Sequence, residues 1–227
     1  MRVPAAAHGL ARFVPRLLEA HAARWFGARA QHEIAPGYRH RDRIAFYDDT
    51  ANADEWQREV YQAARALMIE RELGSVIDVG TGSGYKLVHY LGQFETTGLD
   101  LPPTVAWLRG KYPDRTWLEL SPGDAPPATA DLVVCADVIE HVADPDALMR
   151  TILAMAKEWV VLSTPDRDLT YSRFSAARFG PPSNPAHVRE WTMPEFRRFA
   201  GRYLVVERHE ISNRGQATQL LIGRVRR

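Results

Sequence analysis

The stretch from residue 76 to residue 86 reads Val-Ile-Asp-Val-Gly-Thr-Gly-Ser-Gly-Tyr-Lys. Its apolar start, Val76–Val79, is rich in β-branched residues, which favour a buried strand. Gly80, Gly82 and Gly84 follow, and a glycine can turn tightly and bring its backbone against a ligand because it has no Cβ. The pattern therefore predicts a strand, a ligand-binding loop and a helix in succession.

A second strand-like run, residues 96–100, ends in another acid, Asp100. The carboxyl ends of parallel strands meet at one edge of an α/β sheet, and ligands bind beyond that edge. We therefore expect Asp100 to lie beside the glycine loop and to accept hydrogen bonds from a ribose diol.

The spacing of the glycines distinguishes between nucleotide-containing cofactors. A dinucleotide fingerprint needs G-x-G-x-x-G, and neither Gly80 nor Gly82 has a glycine five positions later. This spacing argues against a nicotinamide-dependent oxidoreductase. The run Asp78-x-Gly80-x-Gly82-x-Gly84 instead resembles the first motif of class I S-adenosylmethionine (AdoMet) methyltransferases. A glycine-rich turn in an unrelated α/β protein is the alternative interpretation.

The resemblance implies that AdoMet is the cofactor and that the acid at Asp78 helps to hold its methionine end. Leu101 and the prolines after it could form an apolar wall for adenine, and Ser121 or Asp124 stands where the family contacts that ring. The cofactor-binding residues that the resemblance indicates are Asp78, Gly80, Thr81, Gly82, Gly84, Asp100, Leu101 and Asp137.

The region before the glycine loop is where this class often folds a lid over the cofactor. Its candidate lid residues are Tyr47, Trp56, Gln57 and Tyr61. Tyr61 also lies at helical spacing with Ala64 and Leu67, so core packing is the simpler interpretation for it. We expect residues 1–51 to form an N-terminal helical extension or lid and residues 52–227 to form the methyltransferase domain.

The segment after the predicted fourth strand carries two acids and a histidine within its first five residues. It reads Asp137-Val-Ile-Glu140-His141-Val-Ala-Asp-Pro145. If it turns helical at once, Asp137, Glu140 and His141 share one face. Two carboxylates and an imidazole on one face form a partial site for a divalent cation. The segment also resembles one that is common in methyltransferases of this class, where the cofactor's methyl group and the substrate meet.

A further candidate ligand, His187, precedes the helix predicted at 192–200. The E-x-x-E-H-like segment and the later H-x-x-E-W-T-x-x-E-F segment together resemble the small-RNA 2′-O-methyltransferases, and the first pattern also resembles the ubiquinone-pathway O-methyltransferases. The resemblance implies a divalent cation, Mg²⁺ or Mn²⁺, held by two acids and two histidines. The corresponding residues are Asp137, Glu140, His141 and His187, where the aspartate replaces the family's glutamate and is one methylene shorter.

The candidate catalytic residues are Glu140, His141 and His187. A metal ion lowers the pKa of a coordinated oxygen and aims it at the sulfonium methyl group. Without a metal ion, either histidine could act as the general base. In a third interpretation, the Glu-His pair only holds its loop by hydrogen bonds, while His187 and Trp191 anchor a lid to the core.

Length and composition fit one globular domain with a short extension. The chain has 227 residues, of which 45% are hydrophobic and 25% charged, and its formal net charge is +1. This charge argues against nucleic acid as a partner. The single cysteine, Cys135, excludes an intramolecular disulfide. No apolar stretch reaches membrane-spanning length, so we expect a cytoplasmic protein without a membrane partner, and a homodimer is one option for its assembly.

The order of predicted elements indicates an α/β class: a Rossmann-like class I methyltransferase fold with a mostly parallel seven-stranded sheet and a terminal antiparallel strand. Strands are predicted at 75–79, 95–100, 116–120, 131–136 and 159–164, before a hairpin of 203–211 and 216–225. Helices are predicted at 84–92, 103–111, 144–157 and 192–200. Before them come a lead helix within 10–30, broken by Pro15 or starting after it, and a helix at 55–73, capped by Asn52 or Asp54 and closed by Gly74.

These features predict an AdoMet-dependent methyltransferase that acts on a hydroxyl group of a small-molecule or saccharide-like substrate, with help from a divalent metal. Three alternatives stay open. They are an N- or carboxyl-methyltransferase with a metal-free histidine base, a small-RNA 2′-O-methyltransferase, and a non-catalytic partner protein with the AdoMet-binding fold.

Overall fold

A seven-stranded sheet forms the centre of the computed structural model, which describes residues 5–25, 30–43, 48–120 and 124–226. The strands are β1 (Ser75–Val79), β2 (Glu95–Asp100), β3 (Thr116–Glu119), β4 (Ala130–Ala136), β5 (Ala156–Pro165), β6 (Leu204–Asn213) and β7 (Thr218–Val225). Their order across the sheet is β3-β2-β1-β4-β5-β7-β6. β7 runs antiparallel to both of its neighbours and the other pairs are parallel, so the expected fold class is confirmed.

Helices cover both faces of the sheet. They are α1 (Ala5–Trp25), α2 (Arg58–Glu70), α3 (Tyr85–Leu91), α4 (Pro102–Lys111), α5 (Pro145–Met155), α6 (Arg167–Thr170) and α7 (Met193–Gly201), with a 3₁₀ turn at Ala176–Phe179. Alternate residues of a strand face opposite sides. In β1, Ile77 packs with residues of α5 and α7, and Val76 packs with residues of α2, α3 and α4. No helix in the described parts of the chain is long and apolar enough to cross a membrane.

The segment at 30–43 packs against the loop that precedes α7. Ile34 is buried in the same apolar cluster as Trp191. The Trp191 indole donates a hydrogen bond to the His32 carbonyl at 2.9 Å, and the Arg41 backbone N–H donates to the Val188 carbonyl at 2.8 Å. The loop that carries the candidate ligand His187 is therefore held in place by a segment far away in the sequence.

The lead helix differs from the prediction at Pro15. Helix α1 runs from Ala5 to Trp25 with Pro15 inside it, so the expected break or start at this proline is wrong. A proline removes one helical hydrogen bond. The neighbouring Phe13 ring packs on Phe174 and Phe179, at centroid distances of 6.0 and 5.7 Å, and this packing supports the helix beside the proline. The predicted positions 26–29 lie outside the described residues.

Helix α2 begins at Arg58, and neither predicted cap is present. The residue before it, Gln57, has a left-handed backbone (φ 61°) and makes no side-chain capping bond. Its side-chain N–H donates instead to the Asp137 carboxylate at 3.1 Å, while Asp54 accepts from the Tyr90 hydroxyl at 2.8 Å. The helix ends at Glu70, and so Gly74 does not close it. Contacts across the fold decide this boundary, and local capping signals do not.

Candidate active site

The glycine loop lies at the carboxyl end of β1. Gly80, Gly82 and Gly84 have φ angles of 73°, 53° and 69°, in the left-handed region that residues with a Cβ rarely adopt. A Cβ on Gly80 would lie 2.4 Å from Val138 Cγ2. The Gly80 N–H donates to the Leu99 carbonyl at 2.8 Å, which ties the loop to β2. The loop thus has the conformation and the close approach that a cofactor-binding backbone needs.

Asp100 ends β2 directly beside this loop. Its carboxylate accepts hydrogen bonds from the N–H groups of Gly82 at 2.8 Å and Leu101 at 2.7 Å. These two bonds fix its orientation, and burial raises its pKa. Leu101 remains 39% exposed and so offers an apolar surface at the same edge. Asp100 and Leu101 thus lie side by side at the edge of the glycine loop, and their roles at the ribose and the adenine stay predictions.

Asp78 is fully buried beneath the loop. It accepts hydrogen bonds from the Tyr61 hydroxyl at 2.9 Å and from Thr81 Oγ1 at 2.9 Å, and burial raises its pKa to about 6. Asp78 and Thr81 therefore brace the loop from below. The sequence offered Tyr61 as a lid residue or, more simply, as core packing; its ring is buried in the core, and its hydroxyl also belongs to this network.

The segment between residue 48 and α2 lies against the glycine loop and α3. The buried Lys86 ammonium, which sequence reasoning missed, donates to the Ala53 carbonyl at 3.3 Å. Gln216, in the turn between β6 and β7, accepts from the Gln57 N–H at 3.3 Å. Among the predicted lid residues, Trp56 is 48% exposed, and Tyr47 lies outside the described residues.

Asp137 occupies a left-handed position (φ 53°) at the end of β4. Its carboxylate accepts from Ser163 Oγ at 2.6 Å and from Gln57 Nε2 at 3.1 Å. Residues 137–141 form a turn, so the helical face expected to join Asp137 to Glu140 and His141 does not exist. Ser163 of β5 and Gln57 thus hold the Asp137 carboxylate.

A group of three candidate metal ligands forms on the other side of this turn. One donor atom each from Glu140, His141 and His187 lies within 4.8 Å of the other two. Glu140 is fully buried, and its Oε2 accepts from Thr164 Oγ1 at 3.0 Å. No described residue donates a hydrogen bond to its Oε1. Burial, and secondarily the nearby Asp137, raise the Glu140 pKa well above its usual range.

The hydrogen bond made by the His141 ring indicates which of its nitrogens carries the proton. Its Nδ1 lies 2.9 Å from the Ala186 carbonyl, which can only accept, so the proton is on Nδ1 and Nε2 carries a lone pair. Burial, and then the neighbouring His187, lower its pKa to about 4. The rings of His141 and His187 meet edge to face, with centroids 4.7 Å apart.

The His187 tautomer is set in the same way by Glu190 and Asn184. Nδ1 of His187 donates to Glu190 Oε1 at 2.7 Å. Nε2 accepts from the Asn184 amide at 2.9 Å, and the Ala186 N–H on Asn184 Oδ1 fixes the orientation of that amide. A carboxylate behind a histidine is the usual second layer of a metal site. Sequence reasoning did not assign Glu190 a role, although the H-x-x-E spacing contained the signal.

The buried Arg189 joins the two loops around this group. The Arg189 guanidinium donates to the carbonyls of Val142 and Ala143, each at 2.7 Å, and the Val188 N–H donates to the Glu140 carbonyl at 2.8 Å. The turn that carries His141 is thereby joined to the loop that carries His187. No sequence motif would have revealed the two contacts of Arg189 or the backbone bond between Val188 and Glu140.

The adenine contact after β3 remains a prediction. Ser121 lies outside the described residues, and Asp124 is exposed in the loop that leads to β4. The structure therefore brings together the glycine loop, Asp100 and Leu101 at one part of the sheet edge. It brings Glu140, His141 and His187 together at the neighbouring part, beyond β4.

Comparison with known proteins identifies the family of the chain and agrees with its fold. A family model described as a methyltransferase domain matches residues 50–220. No curated protein matches the sequence at a significant level. The fold is similar to that of magnesium protoporphyrin IX methyltransferase from Synechocystis PCC 6803 with bound S-adenosylhomocysteine (AdoHcy), at 15% identity and a TM-score of 0.59 over 77% of this chain and 89% of that one.

Two further solved structures are similar in fold. The methyltransferase domain of bacterial CtHen1 has 20% identity and a TM-score of 0.58, over 74% of this chain and 98% of that one. An AdoMet-dependent methyltransferase from Clostridium acetobutylicum ATCC 824 has 12% identity and a TM-score of 0.59, over 79% of this chain and 96% of that one. At these identities the similarity concerns the fold, and acceptor specificity does not follow from it.

Proposed function

The chain belongs to the methyltransferase domain family as a class I AdoMet-dependent enzyme, and on that premise we propose that it methylates a hydroxyl group of a small-molecule or saccharide-like acceptor. A divalent cation, Mg²⁺ or Mn²⁺, assists the reaction. Its proposed ligands are Glu140, His141 and His187. The enzyme acts in the cytoplasm without nucleic acid or membrane as a partner, and a homodimer is its proposed assembly.

The buried oxygen Glu140 Oε1 is the observation that carries this proposal. A buried carboxylate oxygen without a hydrogen bond is costly, and no described residue donates to it. The two imidazoles grouped with Glu140 have Nε2 lone pairs set by their Nδ1 partners. A cation would bind Glu140 Oε1 and both Nε2 atoms. The Asn184 amide would then give up its hydrogen bond to His187 Nε2. The donor set of one carboxylate and two imidazoles therefore fits a divalent ion.

Asp137 is assigned to the cofactor side of the site. Both of its carboxylate oxygens already accept hydrogen bonds, from Ser163 and from Gln57. Its backbone is left-handed (φ 53°), and its carboxylate is not among the clustered donor atoms of Glu140, His141 and His187. The proposed cation therefore has three protein ligands in place of the four that the sequence suggested.

Each part of the site has a separate task in methyl transfer. A divalent cation at Glu140, His141 and His187 would lower the pKa of an acceptor hydroxyl group. Asp100 orients the ribose of the donor, and the loop braced by Asp78 fixes the direction of the methyl group. Methyl transfer depends on in-line positioning more than on covalent help, so rigid placement of donor and acceptor is the main contribution of the chain.

The alternative of a metal-free histidine base has less support at His141. A general base is most effective when its pKa lies near the operating pH, and burial lowers the His141 pKa to about 4. The small-RNA alternative has the fold similarity to CtHen1 in its favour. The net charge of only +1 argues against it, because RNA-binding proteins are usually basic. An affinity for short RNA that falls steeply with salt would favour that alternative.

The test measures AdoHcy release with panels of hydroxyl, amine and carboxyl acceptors, using enzyme treated with a chelator and then supplied with Mg²⁺ or Mn²⁺. We expect methyl ether products, a loss of at least about tenfold in turnover without metal, and recovery on addition. Glu140→Gln should lose the metal response. Glu207→Gln, on the exposed side of β6, is the matched control and should keep it. Turnover that the chelator leaves unchanged would remove the cation from the mechanism.

A further inference from the structure

The carboxylate of Asp49 lies directly against the glycine loop. A Cβ built on Gly82 would lie 2.0 Å from Asp49 Oδ2 and 2.7 Å from Oδ1, so both oxygens face the Gly82 backbone. The position of Asp49 is fixed by a turn in which the Asn52 N–H donates to the Asp49 carbonyl at 2.9 Å. No sequence motif identified this residue, because it precedes the loop by more than thirty positions and belongs to no recognised pattern.

Asp49 and Asp100 form a pair of carboxylates on the two sides of Gly82. Asp100 is held by two backbone N–H groups, whereas no other described residue donates a hydrogen bond to the Asp49 carboxylate. Burial, and then the charge of Asp100, raise the Asp49 pKa to about 6. The nearby cation is Lys86, whose ammonium also serves the Ala53 carbonyl. The two carboxylates can therefore accept more hydrogen bonds than the described residues donate to them, and their negative charge exceeds the positive charge that Lys86 supplies.

AdoMet offers what this pair requires. It carries ribose hydroxyl donors, an ammonium group and a positively charged sulfonium. Hydrogen bonds between charged and neutral partners are stronger than neutral ones, and they gain further where water is excluded. We propose that Asp49 is a cofactor-binding residue, and that with Asp100 it accepts hydrogen bonds from hydroxyl or ammonium donors of AdoMet on the glycine loop. This inference is independent of the acceptor and of the proposed cation.

The two neighbouring aspartates provide a matched pair of variants. Asp48 is exposed, and among the described residues its carboxylate accepts hydrogen bonds from the N–H and the hydroxyl of Thr50, within the same turn. Calorimetric titration with AdoHcy should show affinity about 10- to 100-fold weaker for Asp49→Asn than for the parent protein. Asp48→Asn should stay within about twofold of the parent. Asp49→Ser, which removes the carboxylate altogether, serves as the second variant.

The unfolding temperature of the cofactor-free protein distinguishes the proposed binding role of Asp49 from a purely structural one. Because Asp49 repels Asp100 and receives no donor from another described residue, its replacement should leave the unfolding temperature of the cofactor-free protein equal to or above that of the parent. Unchanged or tighter AdoHcy affinity in either folded Asp49 variant would overturn the proposal. A lower unfolding temperature with unchanged affinity would overturn it too, since Asp49 would then only support the turn.

Discussion

At the scale of single residues, the sequence identified the ligand types but not all of their directions. Glu140, His141 and His187 come together as their motifs predicted. Asp137 does not join them, because its left-handed backbone and its bond from Ser163 depend on neighbouring β5. A spacing argument that assumed a helix could not include that contact. Glu190 differs from Asp137, because its spacing of three residues after His187 was visible in the sequence although no role was predicted for it.

Replacing Glu190 tests whether the second layer of the group supports metal binding. Glu190→Gln keeps the shape of the side chain but removes the charge that accepts from His187 Nδ1. We expect Mn²⁺ affinity to fall about tenfold, because a carboxylate behind a histidine makes it a better ligand. Titration with Mn²⁺ measures this change, and AdoHcy affinity should stay at the parent value. Equal Mn²⁺ affinity in the variant and in Glu207→Gln would contradict the role.

At the scale of elements, burial made the sheet predictable and long-range contacts made the helix starts unpredictable. Strands β1 and β2 match their predicted bounds. β1 is buried along most of its length and reads as a largely apolar run, whereas β2 is a short threonine-rich run that ends in Asp100 at the sheet edge. Helix α2 starts three residues late, since Gln57 bonds with Asp137 and Gln216. Helix α7 begins at Met193, one residue after its predicted start, and the Glu195 side chain accepts a hydrogen bond from the Thr192 N–H at 2.9 Å.

Glu195 also connects α7 to two other elements, and this makes the start of the helix a stability determinant. It pairs with the buried Arg167 of α6 at 2.8 Å and accepts from the Ala35 N–H at 2.9 Å. Glu195→Gln leaves the guanidinium without its counter-charge, and we expect the free energy of unfolding to fall by about 3–5 kcal/mol. Urea denaturation measures the change.

An exposed ion pair serves as the control for this prediction. Glu207 pairs with Arg224 at 3.5 Å, and both side chains are more than two-fifths exposed. Its replacement by glutamine should change the free energy of unfolding by less than about 1 kcal/mol, because solvent screens such pairs. If both variants unfold at the same urea concentration, the buried pair does not stabilise the junction as described.

At the scale of the whole molecule, two short segments of the sequence were enough to predict the fold and the methyl donor, AdoMet. No segment identified the methyl acceptor. The glycine loop and the β4 turn lie on adjacent strands, so the sheet order alone places them side by side. The walls of the site come from the segment at 30–43, the turn at Asp49 and the loop before α7. The segment at 30–43 and the loop before α7 contact each other across more than a hundred residues of sequence, and the turn at Asp49 reaches Gly82 across more than thirty, so no local pattern encodes these walls.

The most direct measurement of the proposed mechanism is a crystal structure of the protein with AdoHcy and Mn²⁺, with anomalous scattering used to locate the ion. We predict one peak within bonding distance of Glu140 Oε1 and of Nε2 of both His141 and His187, with the Asn184 amide withdrawn from His187. The absence of a peak there at saturating Mn²⁺, with Asn184 still bonded to His187, would contradict cation-assisted hydroxyl methylation.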